Sequence, residues 1–412
     1  MTPTPLMEQI SASANLNHAL RRVKRNKGCA GVDRLDITAT ISKLRQASNG
    51  QALRQSLLDG SYQPQPVLGI EIPKTNGGVR QLGIPTVLDR IVQQAITSVL
   101  SDIYEPKFSN SSYGFRPNRS AHHALAAASR YIREGRGYVV DIDLAKYFDT
   151  VNHDRLMHRL SKDIIDKRVL KLIRAYLQAG LMRDGLVERR QRGTPQGGPL
   201  SPLLSNIVLD ELEEAAYRVK ESITEFLEQK LKLTVNREKS AATRVPERGY
   251  LSHSFKIDGT LLISKSAQAQ MKKRVRRITK RNRGRELSVI ITELTQYLRG
   301  WQHYFKLAIG RSAMQRLDEW IRRRLRCYRL KQRKRRYSIA TWLQRQGVTE
   351  RNAWKLAMSD KGWWHLALSP QVNHAMPIKW FEERGLYSLR DGYESLKVYS
   401  EPPYATHACT VV

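Results

Sequence analysis

The chain has 412 residues and a formal charge of +33, from 71 Lys and Arg against 38 Asp and Glu, with a pI near 10.3. That length supports a substantial core and two or three domains, and so large an excess of cations demands a polyanionic partner, nucleic acid first of all, because each contact of Lys or Arg with phosphate releases condensed counterions. No long apolar run or N-terminal signal pattern points to a membrane, and three scattered cysteines (Cys29, Cys327, Cys409) exclude a disulfide framework or a cysteine zinc site and fit a reducing compartment such as a bacterial cytoplasm.

Residues 1–65 read as helical and basic, with Leu20, Val23, Leu44 and Leu53 as apolar anchors and a glycine-marked loop from Lys27 to Asp33. A strand, a turn and a second strand follow, over 68–73, Lys74-Thr-Asn-Gly-Gly78 and 79–84, with Lys74 and Arg80 flanking the hairpin. Val87, Ile91, Val92, Ala95, Ile96, Val99 and Leu100 then recur at the spacing of an amphipathic helix. In Tyr113-Gly-Phe-Arg-Pro-Asn-Arg119, Arg116 and Arg119 stand beside Tyr113 and Phe115. Single-stranded nucleic-acid binders use that mixture of cations and aromatics, and a packed turn contains it equally.

The stretch from Tyr138 to Asp149 is expected to be a buried strand that runs into a turn or helix, with Asp141 and Asp143 on one face. A carboxylate there means a metal site, a salt bridge or an exposed strand end. Farther on, Arg192-Gly-Thr-Pro-Gln-Gly-Gly-Pro-Leu-Ser-Pro202 carries three glycines and three prolines, so its backbone must bend tightly and let something approach closely. An apolar helix begins at Leu203, and Leu212, Ala215, Ala216, Val219, Ile223, Phe226, Leu227 and Leu231 keep a helical period beyond it, with no two-residue turn, alternating strand or paired aspartate between.

From Ser264 the composition changes. Lys272 to Arg285 is a dense basic run that reads as a track for phosphates, including Lys272, Lys273, Arg276 and Arg277. Two strong helices follow, marked by Leu287 to Phe305 and by Met314 to Tyr328, then a tryptophan-rich segment over 338–389. Residues 390–412 lack periodicity and read as a frayed tail.

Taken together, Gln81-Leu-Gly-Ile-Pro-Thr-Val-Leu-Asp-Arg90, the Tyr113 to Arg119 segment, the Tyr138 to Asp149 segment and the glycine-proline loop resemble, in order, the motifs of reverse transcriptases encoded by bacterial group II introns, which also act as maturases. The resemblance runs from about Asn15 to Leu389. It implies an α+β fold, a right-hand polymerase with fingers and palm followed by a helical thumb or maturase domain. The implied divisions are an RNA-gripping extension over 1–65, fingers over 66–135, palm over 136–262, thumb over 263–336, and a small C-terminal extension with a tail over 337–412. It also implies that Lys74 and Arg80 hold the triphosphate of an incoming nucleotide and that Phe148 excludes a ribose 2′-hydroxyl. Gln196 would line the nucleotide pocket, Arg116 and Arg119 would lie against the template, and Asp143 would be the first of three catalytic aspartates that hold Mg²⁺.

The other two aspartates belong to a Tyr-Ala-Asp-Asp hairpin that this sequence does not show, as though a block had been deleted near 212–220. One carboxylate cannot hold two divalent ions, so Mg²⁺ binding should be weak or absent and the polymerase chemistry impaired. Rescue would require Glu211, Glu213, Glu214 or Asp141 to reach Asp143. The expected partner is intron RNA, with a DNA target or primer as a further candidate and no membrane. The alternatives are a non-catalytic RNA-binding splicing cofactor or a decayed copy without function. Relatives usually carry Gly at the position of Ser252, beside the primer end, so a close backbone approach there is an open point.

Overall fold

The computed structural model describes residues 5–398 apart from 47, 74–77, 184, 189, 196, 216–240 and 309. They form two compact units, one of residues 1–124 with 138–243 and the other of 125–137 with 244–412.

The first unit is built around α5 (Val87–Tyr104), whose apolar residues Val87, Ile91, Val92, Ala95, Ile96 and Leu100 are all buried. Its start is fixed chemically. Thr86 Oγ1 accepts the Asp89 amide at 3.0 Å and donates to Asp89 Oδ2 at 2.7 Å, while the Tyr62 hydroxyl donates to Asp89 Oδ1 at 2.8 Å. Burial outweighs these bonds and pushes the Asp89 carboxyl above the ordinary aspartate range. The expected N-terminal helices are present as α1 (Leu6–Ser11), α2 (Ser13–Asn26), α3 (Ile37–Arg45) and α4 (Asn49–Leu58), and both α1 and α2 pack on α5.

The expected hairpin is β1 (Val67–Pro73) and β2 (Val79–Ile84), antiparallel from Leu68 opposite Ile84 to Pro73 opposite Val79. It joins a sheet of order β2-β1-β4-β5, in which β4 (Leu181–Arg183) lies parallel to β1 and antiparallel to β5 (Leu186–Glu188). Three-residue strands are too short to show the alternation that marks a strand in sequence.

The acidic stretch departs from expectation. Its strand β3 spans only Tyr138–Asp141 and is not buried, with Tyr138 72% and Val140 47% exposed. Among the described residues its one strand partner is β6 (Ala241–Arg244), so one face of its apolar residues meets solvent where a wider sheet would cover it. In the chain α6 (Ala121–Arg133) precedes this strand, and α7 (Tyr147–Thr150), α8 (His153–Asp163) and α9 (Lys167–Gln178) follow it. The apolar helix after the glycine-proline loop is α10 (Ser201–Ala215). The expected continuation of its helical period falls on residues 216–240, outside the described residues.

The second unit pairs β7 (His253–Phe255) with β8 (Leu261–Ile263) and then becomes helical. Its main helices are α11 (Lys265–Ile278), α12 (Leu287–Phe305) and α13 (Arg311–Arg333), followed by α14 (Arg336–Arg345), α15 (Glu350–Ala357), α16 (Trp363–Leu366), α17 (Pro370–Ala375) and α18 (Ile378–Glu382). Met271, Val275, Leu294, Leu298, Leu325 and Phe381 belong to one continuous core. The first part of the expected frayed tail is instead a helix, α19 (Leu389–Val398). Buried Asp318 supplies the reason: its Oδ1 accepts the Leu389 amide and its Oδ2 the Arg390 amide, each at 3.0 Å, so the exposed donors of the helix start find partners.

Candidate nucleic-acid interface

The glycine-proline loop and the acidic turn are one structure. Gly193 donates its amide to the Val151 carbonyl at 2.7 Å, Thr194 donates to the Phe148 carbonyl at 2.6 Å, and Asn152 and Arg192 form an antiparallel bridge. The close approach foreseen for this loop is to the protein itself. Gly193 has φ +85°, and a Cβ there would sit 2.6 Å from the Phe148 oxygen. Gly197, at φ +132°, would place one 2.5 Å from the Gly83 oxygen of β2. The loop therefore locks the Phe148 segment to the base of the hairpin that carries Arg80. His153, buried beneath it, has its Nε2 at 2.7 Å from the Gly193 carbonyl oxygen, to which it donates as the neutral ring. Burial holds the imidazole below its usual pKa, against a smaller upward pull from that bond.

Of the residues expected to hold a nucleotide, Phe148 is half-buried on α7, and Arg80 is exposed on β2 across from Ile72. Lys74 and Gln196 lie outside the described residues. Asp143 is exposed just past the end of β3, with Asp141 half-buried two residues before it. Among the described residues no three His, Cys, Asp or Glu side chains come together to hold a metal ion. The side chains of Glu211, Glu213 and Glu214 lie outside the described residues.

Arg116 is held inside the turn. Its side chain is 3% exposed, and its guanidinium donates from Nε and Nη2 to Glu105 at 3.1 and 2.9 Å and from Nη1 to the Ser109 and Ser112 carbonyls. It also lies over the Phe108 ring, 5.2 Å from the centroid. These bonds engage the guanidinium within the turn, and the residue also lines the cleft that Phe115 borders. Arg119, half-buried, donates to the Asn110 side chain at 3.0 Å and faces the Tyr113 ring. The same turn pushes Phe115 outward: it is 79% exposed at φ +56°, a conformation that few aromatic residues adopt. It borders a cleft of about 510 Å³ that Arg22, Asn26, Arg90, Gln94 and the Gly197-Gly198 backbone also line. Sequence reading missed Arg22 and Gln94 because each sits on a helix face that looks ordinarily amphipathic.

In the second unit, Lys273, Arg276 and Arg277 are exposed along α11, and Lys272 is half-buried among them. The opposite side of the helix holds Met271, Val275 and Ile278 in the core, so the cations are displayed by the same 3.6-residue period that buries the apolar face. Trp320 of α13 lies beneath two of the neighbouring guanidiniums, those of Arg276 and Arg324, at 5.8 and 5.5 Å. No helix of the described residues is long and apolar enough to cross a membrane.

Comparison with known proteins follows this division. Residues 72–227 match the family of reverse transcriptases (RNA-dependent DNA polymerase), and residues 268–347 match the group II intron maturase-specific domain. Protein YkfC of Escherichia coli K12 is 41% identical over 51% of this chain and 56% of its own length. The group II intron-encoded protein LtrA of Lactococcus lactis is 38% identical over 49% of this chain and 33% of its own. Among solved structures, a partial Cas6-RT-Cas1–Cas2 complex aligns over 52% of this chain and 36% of that one, at 23% identity and a TM-score of 0.37. The chain thus spans about half or less of the length of these relatives.

Proposed function

We propose, for a chain that belongs to the group II intron-encoded reverse transcriptases and maturases, that it binds intron RNA as a maturase does and performs little or no DNA synthesis. The observation that carries this reading is the row of exposed cations on α11, Lys273, Arg276 and Arg277 with Lys272 beside them, inside the segment that matches the maturase-specific domain. Cations held on a rigid helix meet RNA phosphates without a large ordering penalty. In this reading residues 1–65 are the RNA-gripping extension, 66–135 the fingers, 136–262 a reduced palm, 263–336 the thumb and 337–412 a C-terminal extension. The protein works in the cytoplasm.

The weakness of the polymerase reading is chemical. No two aspartates are adjacent anywhere in the 412 residues, so the pair that a Tyr-Ala-Asp-Asp hairpin would supply beside Asp143 has no counterpart. The competing reading, a working RNA-directed DNA polymerase with DNA as product or primer, is supported by the Thr194 to Phe148 bond, which keeps the glycine-proline loop against the segment after Asp143. Lys74, Arg80, Phe148 and Gln196 would then hold the nucleotide.

Two measurements separate these readings. Replacing Lys272, Lys273, Arg276 and Arg277 by Ala should weaken RNA binding and lower its salt slope by about 3, whereas Asp143→Ala should leave both unchanged. Primer extension on an RNA template with Mg²⁺ should give little product. Processive synthesis that disappears in Asp143→Ala would establish the polymerase reading instead.

A further inference from the structure

Away from α11, four guanidiniums of the second unit face a single cleft of about 530 Å³. Arg329 and Arg333 come from one side of α13, Arg345 from the last turn of α14, and Arg384 from just beyond α18. The acid lining the same cleft is Glu286, so the charge is far from balanced, although Arg384 also lies 3.9 Å from the neighbouring Glu383 carboxylate.

Two indoles keep three of these cations in place. Arg329 and Arg333 lie over Trp342 at 5.7 and 5.5 Å, and Arg384 lies over Trp380 at 3.8 Å. Trp380 is itself fixed, because its Nε1 donates to Gln346 Oε1 at 3.1 Å. Stacking on an aromatic face stabilises a guanidinium without using its N–H edge, of which Arg384 Nη1 donates to the Trp380 carbonyl at 3.0 Å and Arg329 Nη1 to Gln332 Oε1 at 3.3 Å. The indoles are nearly buried, so they hold the arginines and offer no open face to a nucleobase.

The Nε groups of Arg329 and Arg333 are buried without a hydrogen-bond partner, so each guanidinium has only its outer N–H groups to meet an anion in the cleft. Burial, and then the neighbouring arginines, hold both guanidiniums below the ordinary arginine pKa, and an incoming anion would offset the repulsion among them.

We propose that this cleft binds a phosphodiester segment of a single polynucleotide strand, with Arg329, Arg333, Arg345 and Arg384 meeting phosphate oxygens through their N–H edges. Cations are excluded by charge. The covered indoles argue against recognition of a base, so binding at this site is independent of sequence. The proposal rests on the RNA-binding reading above and deepens it by giving the strand a second, built contact apart from the α11 track.

The test uses the full chain and fluorescence anisotropy with a labelled single-stranded RNA and a DNA of the same sequence, over a range of salt. Arg345→Gln with Arg384→Gln alters two exposed side chains and should weaken binding about tenfold or more while lowering the salt slope by about 1.5 to 2. Arg345→Lys with Arg384→Lys should restore the slope but not the affinity, because an ammonium cannot reproduce the stacked fork. Losses confined to RNA identify it as the strand bound, and equal losses for DNA identify a site blind to the sugar. Excess inorganic phosphate should not displace the strand.

Unchanged affinity and slope in the Gln pair, with losses in the α11 variant, would overturn this site and leave the RNA-binding reading standing. No loss in either variant would overturn both. Displacement by inorganic phosphate alone would reduce the cleft to a simple anion site. Should the Gln pair fail to fold, Arg345→Glu alone must weaken binding at low salt for the proposal to survive.

Discussion

The Thr194 amide donates to the Phe148 carbonyl at 2.6 Å, and this bond ties the glycine-proline loop to the turn that follows the acidic end of β3. A loop and a turn more than forty residues apart in sequence are thereby fixed as one surface, so that the two segments cannot move independently.

Gly193, next to that bond, is where the arrangement is most sensitive. A methyl group at this position would sit 2.6 Å from the Phe148 oxygen and 2.9 Å from the Asp149 backbone, and φ +85° disfavours any L side chain. Gly193→Ala should therefore lower stability by about 2 kcal/mol or more, measured by urea unfolding at constant m, with loss of the Thr194 amide's protection from hydrogen exchange.

Ser252 presents the opposite case. It holds φ +64° directly after Leu251 at φ +48°, in a turn clamped by reciprocal Tyr250 and His253 backbone bonds of 2.8 and 2.9 Å and by a Tyr304 hydroxyl bond of 3.1 Å to the Leu251 carbonyl. The backbone thus adopts the left-handed shape that suits glycine even though serine occupies the position. Ser252→Gly should raise stability by up to about 1 kcal/mol, less the added freedom of the unfolded chain, and thermal unfolding of the two proteins under identical conditions measures it.

Arg116 and Glu105 form a test of structural against binding roles. Because the guanidinium is enclosed and bonded to three carbonyls besides the carboxylate, Arg116→Ala should cost about 2 kcal/mol and Glu105→Ala somewhat less, with a double variant no worse than Arg116→Ala alone. RNA affinity measured well below the melting temperature should change little for either. A large affinity loss with unchanged stability would return Arg116 to the binding surface.

The same residue shows what could be read from sequence. The β1–β2 hairpin was legible because its alternation and Gly77-Gly78 turn are local signals, and α11 to α13 were legible because long helices repeat their period many times. The partner of Arg116 was not, since Glu105 lies eleven positions earlier and nothing local links them. β4 and β5 were too short to alternate, and the helical start at Leu389 depends on a carboxylate at Asp318, 71 positions away. The exposure of Tyr138 and Val140 escaped notice for a related reason: a β-branched run announces a strand but not how many neighbours the strand has.

His153 gives the loop a pH dependence whose sign can be worked out. Its folded pKa lies below the ordinary value of 6.5, so the unfolded chain binds a proton more readily than the folded one. The stabilisation from the neutral ring is complete above about 6.5 and is lost as pH falls from there through the lower folded value. Arg174 and Arg190 reinforce this direction, and Asp154 opposes it. Asp89 and Asp318, whose folded pKa values are raised, act oppositely: as pH falls through those raised values, protonation favours the folded state. Between pH 7.5 and 5.5 the wild-type chain should lose stability relative to a His153→Gln variant, which keeps a side-chain donor for the Gly193 carbonyl but has no titrating group. Urea unfolding of both proteins across that range checks it, and parallel curves would place the pH dependence elsewhere.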